Sequence, residues 1–281
     1  MSTDDRSIRF DGGRIGFLMI HGLGGTPLEM RYLARGLWRA GYTVHCPQLA
    51  GHCGTYEELR ATGWRDWYAS CETALQELRD DCDIVVVAGL SAGAILALNL
   101  AADHPDQVDS AVLYAPTLKL DGWGVPWYSR FFRLVTQRWC ADLFPFAERH
   151  PYGLKDERIR ALATAAINSG DSSKAGQMRN PGSVMLELRW LVQAVCAKLS
   201  NTKQPTLIIH AREDDRASLG NPAYLLKHLG GQVDALVLDD SYHVITMDKQ
   251  RDLVLNRTIA HVAWLTEQGL FRLVQNKWRN F

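Results

Sequence analysis

Five residues, Gly89-Leu90-Ser91-Ala92-Gly93, constrain this chain more than any other stretch. The bulky apolar run Ile84-Val85-Val86-Val87-Ala88 comes just before them, and the small, helix-prone run Ala92-Gly93-Ala94-Ile95-Leu96-Ala97-Leu98 follows at once. A β-branched run that gives way to such a segment reads as a buried strand turning sharply into a helix. In so tight a turn the side chains two before and two after the serine would collide with each other and with neighbouring strands. Glycines at 89 and 93 remove that collision, and the serine hydroxyl is lifted into a cleft at the carboxyl end of the strand. The next N–H, that of Ala92, lies at a helix N-terminus, where partial positive charge can hold an oxyanion.

The rest of the chain supplies the sheet that such a turn needs. Strand-like runs at Phe17–Ile20, Tyr42–Cys46, Ile84–Ala88, Ala111–Tyr114, Thr206–His210 and Ala235–Leu238 alternate with helix-like runs. Thr26-Pro27-Leu28-Glu29 opens one helix with a capping serine-type hydroxyl, a proline at the first position and a glutamate three residues on, and Met30, Leu33, Leu37 and Ala40 mark its apolar face. Further helices are expected over 64–80, over Ala92–Ala102, from Asn221-Pro222 to Gly230-Gly231, and from about Asp248 to Trp264. Continuous apolar strands separated by helices indicate an α/β fold, a mostly parallel sheet covered on both faces. From about 117 to 203 the alternation stops. That stretch is aromatic at its start (Trp123, Trp127, Phe131, Phe132) and later has Val184, Leu188, Leu191, Val195 and Leu199 at helical spacing. It is expected to be an inserted helical cap, with 1–116 and 204–281 forming the core. The four aromatics are read mainly as the core of that cap, one or two of them facing substrate.

Composition excludes several classes. The 31 basic and 31 acidic residues balance, which gives no electrostatic footprint for nucleic acid. No apolar run is long enough to span a bilayer, and the polar N-terminus lacks the pattern of a signal peptide, so a cytoplasmic chain is expected. The six cysteines are scattered without a Cys-x-x-Cys pair and read as buried or half-buried thiols; no metal or cofactor is expected. The C-terminal 271–281 is mildly basic and aromatic, and is read as a helix end docking or fraying.

A serine hydroxyl needs a base to take its proton, and the base needs an acid to orient it. With the chain order serine, acid, histidine, the candidates after Ser91 are His104, His150, His210, His228, His243 and His261. His104 sits at a helix end, His150 in the presumed cap, His228 and His261 within helices. His210 closes a strand and could line the cleft. His243, in the loop Asp239-Asp240-Ser241-Tyr242-His243-Val244 after the last strand, alone has an acid-bearing strand end before it. That end is Ala211-Arg212-Glu213-Asp214-Asp215, where Asp214 is favoured and Asp215 competes; one can face the cleft while the other is solvated. Asp239 and Asp240 are so near His243 that they would sooner shape its loop. The glycines of His21-Gly22-Leu23-Gly24-Gly25 let the backbone approach a substrate, which makes the Leu23 N–H the second oxyanion candidate. His21 and His52 read as loop-stabilising residues.

Four of these motifs, His21-Gly22-Leu23-Gly24-Gly25, Gly89-Leu90-Ser91-Ala92-Gly93, Ala211-Arg212-Glu213-Asp214 and Ser241-Tyr242-His243-Val244-Ile245-Thr246, follow one another in an order that resembles the α/β-hydrolase superfamily, over essentially the whole chain. Small bacterial carboxylesterases and monoacylglycerol-lipase-like enzymes are the nearest likeness. The resemblance implies Ser91, Asp214 and His243 as the catalytic triad and the Leu23 and Ala92 N–H groups as the oxyanion hole. It implies an ester with an apolar acyl group as substrate, cleaved through an acyl-enzyme. The insertion is longer and richer in tryptophan than in the smallest members. Lipase and thioesterase activities use the same groups, as does cleavage of carbon–carbon bonds. A binding protein on the same scaffold would be recognised by a broken triad, and no member is missing here.

Overall fold

A computed structural model describes residues 5–168, 172, 176–177 and 179–269. Its main sheet has seven strands: β1 (Ile8–Phe10), β2 (Ile15–Ile20), β3 (Thr43–Cys46), β4 (Ile84–Leu90), β5 (Ser110–Tyr114), then, after a long excursion, β8 (Thr206–Ala211) and β9 (Val233–Leu238). The spatial order is β1-β3-β2-β4-β5-β8-β9. All pairings are parallel except the edge pair β1–β3. The expected α/β architecture is therefore present.

Alternation along the central strands builds two cores. Leu18, Ile20, Val85 and Val87 face one side and pack with helices Trp64–Asp81 and Ala92–Asp103. Phe17, Met19, Val86 and Ala88 face the other and pack with helices Arg31–Arg39 and Arg251–Glu267. Both faces being buried explains why β4 is apolar throughout rather than every second residue. Helix Ala92–Asp103 is apolar all round, which is stable only if its outer side is also covered. Helix Gly182–Cys196 supplies the cover: Val184, Leu188, Leu191 and Val195 are buried in the same core. This last helix of the 117–203 stretch thus belongs to the core layer, and Leu199 lies beyond it in a separate short 3₁₀ turn, Leu199–Asn201.

The rest of the excursion is irregular. It contains a 3₁₀ segment Trp127–Leu134, a short helix Arg138–Ala141, helix Glu157–Asn168, and a two-stranded pairing of β6 (Phe146–Ala147) with β7 (Arg179–Asn180). The aromatics do not form a small core here. Trp123, Trp127 and Phe131 are 60%, 68% and 50% exposed, and Phe132 is half-buried. At the N-terminal side, the first turn after Thr26 is a 3₁₀ turn, Pro27–Met30, with the Thr26 hydroxyl accepting from the Leu28 N–H. The following helix buries Leu33, Ala34 and Leu37, while Ala40 is exposed. Four cysteines are buried and Cys140 and Cys196 half-buried, all as free thiols. No helix among the described residues is long and apolar enough to cross a membrane. The segment 271–281 lies outside the described residues.

Candidate active site

Ser91 joins β4 to helix Ala92–Asp103 at the carboxyl end of the sheet, with φ 57° and ψ −114°. A side chain forced to positive φ is strained, and here the surroundings enforce it. The Ser91 N–H donates to the Tyr114 carbonyl at the end of β5, 2.9 Å away. A Cβ on Gly89 would lie 2.1 Å from the Gly93 carbonyl oxygen, and a Cβ on Gly93 2.3 Å from that of Ile20. The two glycines are therefore what allows helix and strands to close around the serine.

His243, in the loop after β9, brings Nε2 to 2.9 Å from the Ser91 Oγ. Its Nδ1 lies 2.8 Å and 3.0 Å from the two carboxylate oxygens of Asp214, just past the end of β8. A carboxylate only accepts, so Nδ1 carries the proton and Nε2 is left free to accept from the serine. Asp214 also accepts from the Arg216 and Ala217 N–H groups, each at 2.8 Å. Burial alone would raise the Asp214 pKa; the charge of His243 and the hydrogen bonds outweigh it and hold the carboxyl below the usual range. The carboxylate is thus kept ionised where it meets the imidazole.

Asp215 has a different place from the one expected. It is buried, not solvated, and its carboxylate accepts the His243 N–H at 3.3 Å and the Gly153 N–H at 3.2 Å. It ties the histidine loop to the excursion. His210 does not line the cleft: it is fully buried behind Asp214, donating through Nε2 to the Ala217 carbonyl at 2.8 Å. His104 pairs with Glu72, His228 stacks on Tyr224 and His261 meets the Ser110 hydroxyl, all away from Ser91. His150 lines the rim of the cavity described below.

Leu23 lines the same cavity as Ser91, and among the described residues neither its N–H nor that of Ala92 has a protein acceptor. The loop carrying Leu23 is braced from beneath. His21 donates through Nδ1 to the Gly22 carbonyl (2.9 Å) and accepts at Nε2 from the Leu49 N–H (3.3 Å). His52 packs edge-on against it, 5.0 Å between rings. Burial lowers the pKa of His21 to about 3 and that of His52 to about 4, so both stay neutral.

Three contributors were not legible from motif spacing. Glu29 does not close a capping box; its carboxylate turns back to accept the Gly22 N–H at 3.0 Å. Burial under the loop lifts its pKa to about 7, against the pull of the Gly22 N–H and of the Arg216 charge. Asp248, fully buried, accepts the N–H groups of Tyr242, Lys155 and Asp156 and so fixes the turn around His243. Thr117 places its hydroxyl 3.2 Å from the Ser91 Oγ and 3.1 Å from the Ala115 carbonyl; with the Ser91 proton directed to His243, the single Thr117 proton goes to one of these two oxygens. For Thr117 the available signal was a hydroxyl three residues past the end of β5, just after Ala115-Pro116; Glu29 and Asp248 gave none.

Above Ser91 opens a cavity of about 670 Å³. Its walls are mainly apolar, with Phe131, Phe132, Phe144, Phe146 and Leu188 among them; the polar exceptions include Asn180, Glu148 and Arg216. Glu148 and Arg216 are ion-paired to each other. Trp123 and Trp127 are not part of the lining.

A family model described as serine aminopeptidase, S33, matches residues 15–250, most of the chain. The chain belongs to this family of α/β-hydrolases. It is 29% identical to a thermostable monoacylglycerol lipase of Bacillus sp. (strain H-257) over 254 residues, covering 90% of this chain and 92% of that one. To a carboxylesterase of Bacillus subtilis (strain 168) it is 26% identical over 250 residues, 87% and 91% of the two chains. Among solved structures, one described under two metagenome-derived lipolytic enzymes, LipS and LipT, superposes with a TM-score of 0.78 at 28% identity, covering 92% of this chain and 96% of that one. The monoacylglycerol lipase of Paleococcus ferrophilus shares the fold, with a TM-score of 0.73 at 16% identity over 94% of this chain and 99% of that one.

Proposed function

We propose that this family member hydrolyses carboxylic esters with Ser91 as nucleophile, His243 as general base and Asp214 as the orienting acid. The supporting observation is the aligned relay Asp214–His243–Ser91, with heavy-atom separations of 2.8 and 2.9 Å. Ser91 Oγ attacks the acyl carbon and its proton passes to His243 Nε2. Asp214 holds the imidazole in the tautomer this requires and stabilises the imidazolium that results. The Leu23 and Ala92 N–H groups receive the tetrahedral oxyanion, Glu29 holding the first of these loops in place. His243 then protonates the departing alcohol, and the acyl-serine is hydrolysed by water activated by the same histidine.

The cavity favours an apolar acyl group, since its phenylalanine walls have nothing to offer a charged one. The stretch 117–203 acts as a cap only in its earlier part, because Gly182–Cys196 is core. A monoacylglycerol lipase is the second reading, favoured by the volume of the mainly apolar cavity, about 670 Å³; a thioesterase would use the same groups.

The test is hydrolysis of p-nitrophenyl esters across acyl lengths, with an aminoacyl p-nitroanilide alongside and Ser91→Ala as control. Ester cleavage that disappears in the variant supports the proposal, and a maximum at long chains selects the lipase reading. Cleavage of the anilide in preference to every ester would overturn it in favour of a peptidase.

A further inference from the structure

A second concavity lies on the opposite core layer and shares no residue with the cavity above Ser91. Its volume is about 420 Å³, and it runs between helices Arg31–Arg39 and Arg251–Glu267. Arg31, Arg35, Arg39 and Arg251 line it. The first three are spaced four apart, so they stack on one exposed helix face at steps of about 6 Å. Among the described residues none of those three has a carboxylate partner, although Arg9, Arg14, Arg60, Arg138, Arg212 and Arg257 each have one. In a chain of zero formal net charge, such an uncompensated row is local and not a by-product of composition.

Like charges four apart on a helix repel, so the row opposes the helix that carries it. The fourth arginine faces it across the groove and is held in place. Arg251 donates to the Met247 carbonyl at 3.2 Å and lies over the Tyr32 ring, 4.6 Å from its centroid. Asp252, next to Arg251, is engaged by the Tyr32 hydroxyl. The floor is apolar, from Leu28, Met247 and Leu255. Planar guanidinium groups gathered in a concave site select multiply charged oxyanions, which each can bond bidentately. The spacing asks for more than one anionic centre, and the volume limits the occupant to a small molecule.

We propose that this groove is a binding site for an oligophosphate, two or more linked phosphoryl groups, either free or carried by a nucleoside. Titration calorimetry of the full chain with sodium tripolyphosphate and, separately, with ATP tests it at low and moderate salt. The expected result is saturable one-to-one binding that weakens as salt rises and falls by about tenfold or more in Arg35→Ala/Arg39→Ala. Arg31→Gln should weaken it in the same sense, and the exposed pair Arg65→Ala/Arg158→Ala should leave it unchanged. Unfolding curves of each variant confirm that the fold persists. Binding of tripolyphosphate and ATP alike identifies the phosphate chain as the determinant; binding of ATP alone adds the nucleoside. Three outcomes overturn the proposal: no saturable binding of either ligand, equal loss in the control pair, or arginine-dependent binding only to vesicles of equimolar phosphatidylglycerol and phosphatidylcholine, which would make the row a lipid-surface contact.

Discussion

Asp214 and Asp215 are adjacent, chemically identical and both buried, yet the fold gives them separate work. One addresses the imidazole of His243, the other its backbone N–H. Asp214→Asn should lower kcat by about 10³- to 10⁴-fold with little change in stability, because the amide stabilises the wrong tautomer. Asp215→Asn should instead cost about 1–3 kcal/mol of stability, since one of two buried N–H donors loses its acceptor, with a smaller effect on kcat. Steady-state kinetics and urea unfolding of both variants check this. Equal kcat losses would contradict the separation of roles. At this scale the sequence was legible where a residue's chemistry is local: Ser91 between its glycines, His243 on its loop. Choosing between neighbouring aspartates depends on the direction in which the chain leaves β8, and spacing does not carry that.

The elements that carry the site are held by groups from elsewhere in the chain. The Leu23 loop rests on Glu29, and the His243 loop on Asp215 and Asp248. Glu29 lies in the expected helix start, but its partner is Gly22, seven residues back, and no capping pattern reports a contact of that kind. Its folded pKa of about 7 against an ordinary 4.5 has a signed consequence. Between these values the folded state keeps a proton that the unfolded chain has lost, so this group removes stability as pH rises from about 4.5 to about 7. Glu29→Gln has no such titration and can still accept from Gly22. Its stability relative to the parent should therefore rise across that interval and level off above it, as read by urea unfolding at a series of pH values. A difference independent of pH would show that Glu29 is not enclosed as described. The central strands and the long helices that cover them, by contrast, were legible from their apolar runs. The edge strand Ile8–Phe10 and helix Tyr56–Ala61, short and half-exposed, were not, nor was helix Glu157–Asn168 in the stretch where the alternation stops.

For the whole molecule, the cavity above Ser91 joins the sheet to the excursion that follows β5. Of the four aromatics expected mainly as a packed cap core with one or two facing substrate, two do face the cavity, but the packed core is absent, because ring content does not distinguish a core from an exposed surface. Phe131 and Phe132 line the cavity, whereas Trp123 and Trp127 do not. Phe132→Ala should accordingly shift acyl-length preference, measured as kcat/KM across an ester series, by several-fold, on the order of 1 kcal/mol for a few lost methylene contacts. Trp127→Ala should leave the preference where it was; the reverse pattern would place the acyl group outside the cavity. The most direct measurement concerns the covalent step on which the proposed mechanism turns. Intact-protein and peptide mass spectrometry, after acid quench during turnover of a p-nitrophenyl ester, should find one acyl group added, on Ser91, and none in Ser91→Ala. An acyl group on another residue, or undiminished hydrolysis by Ser91→Ala, would contradict the account.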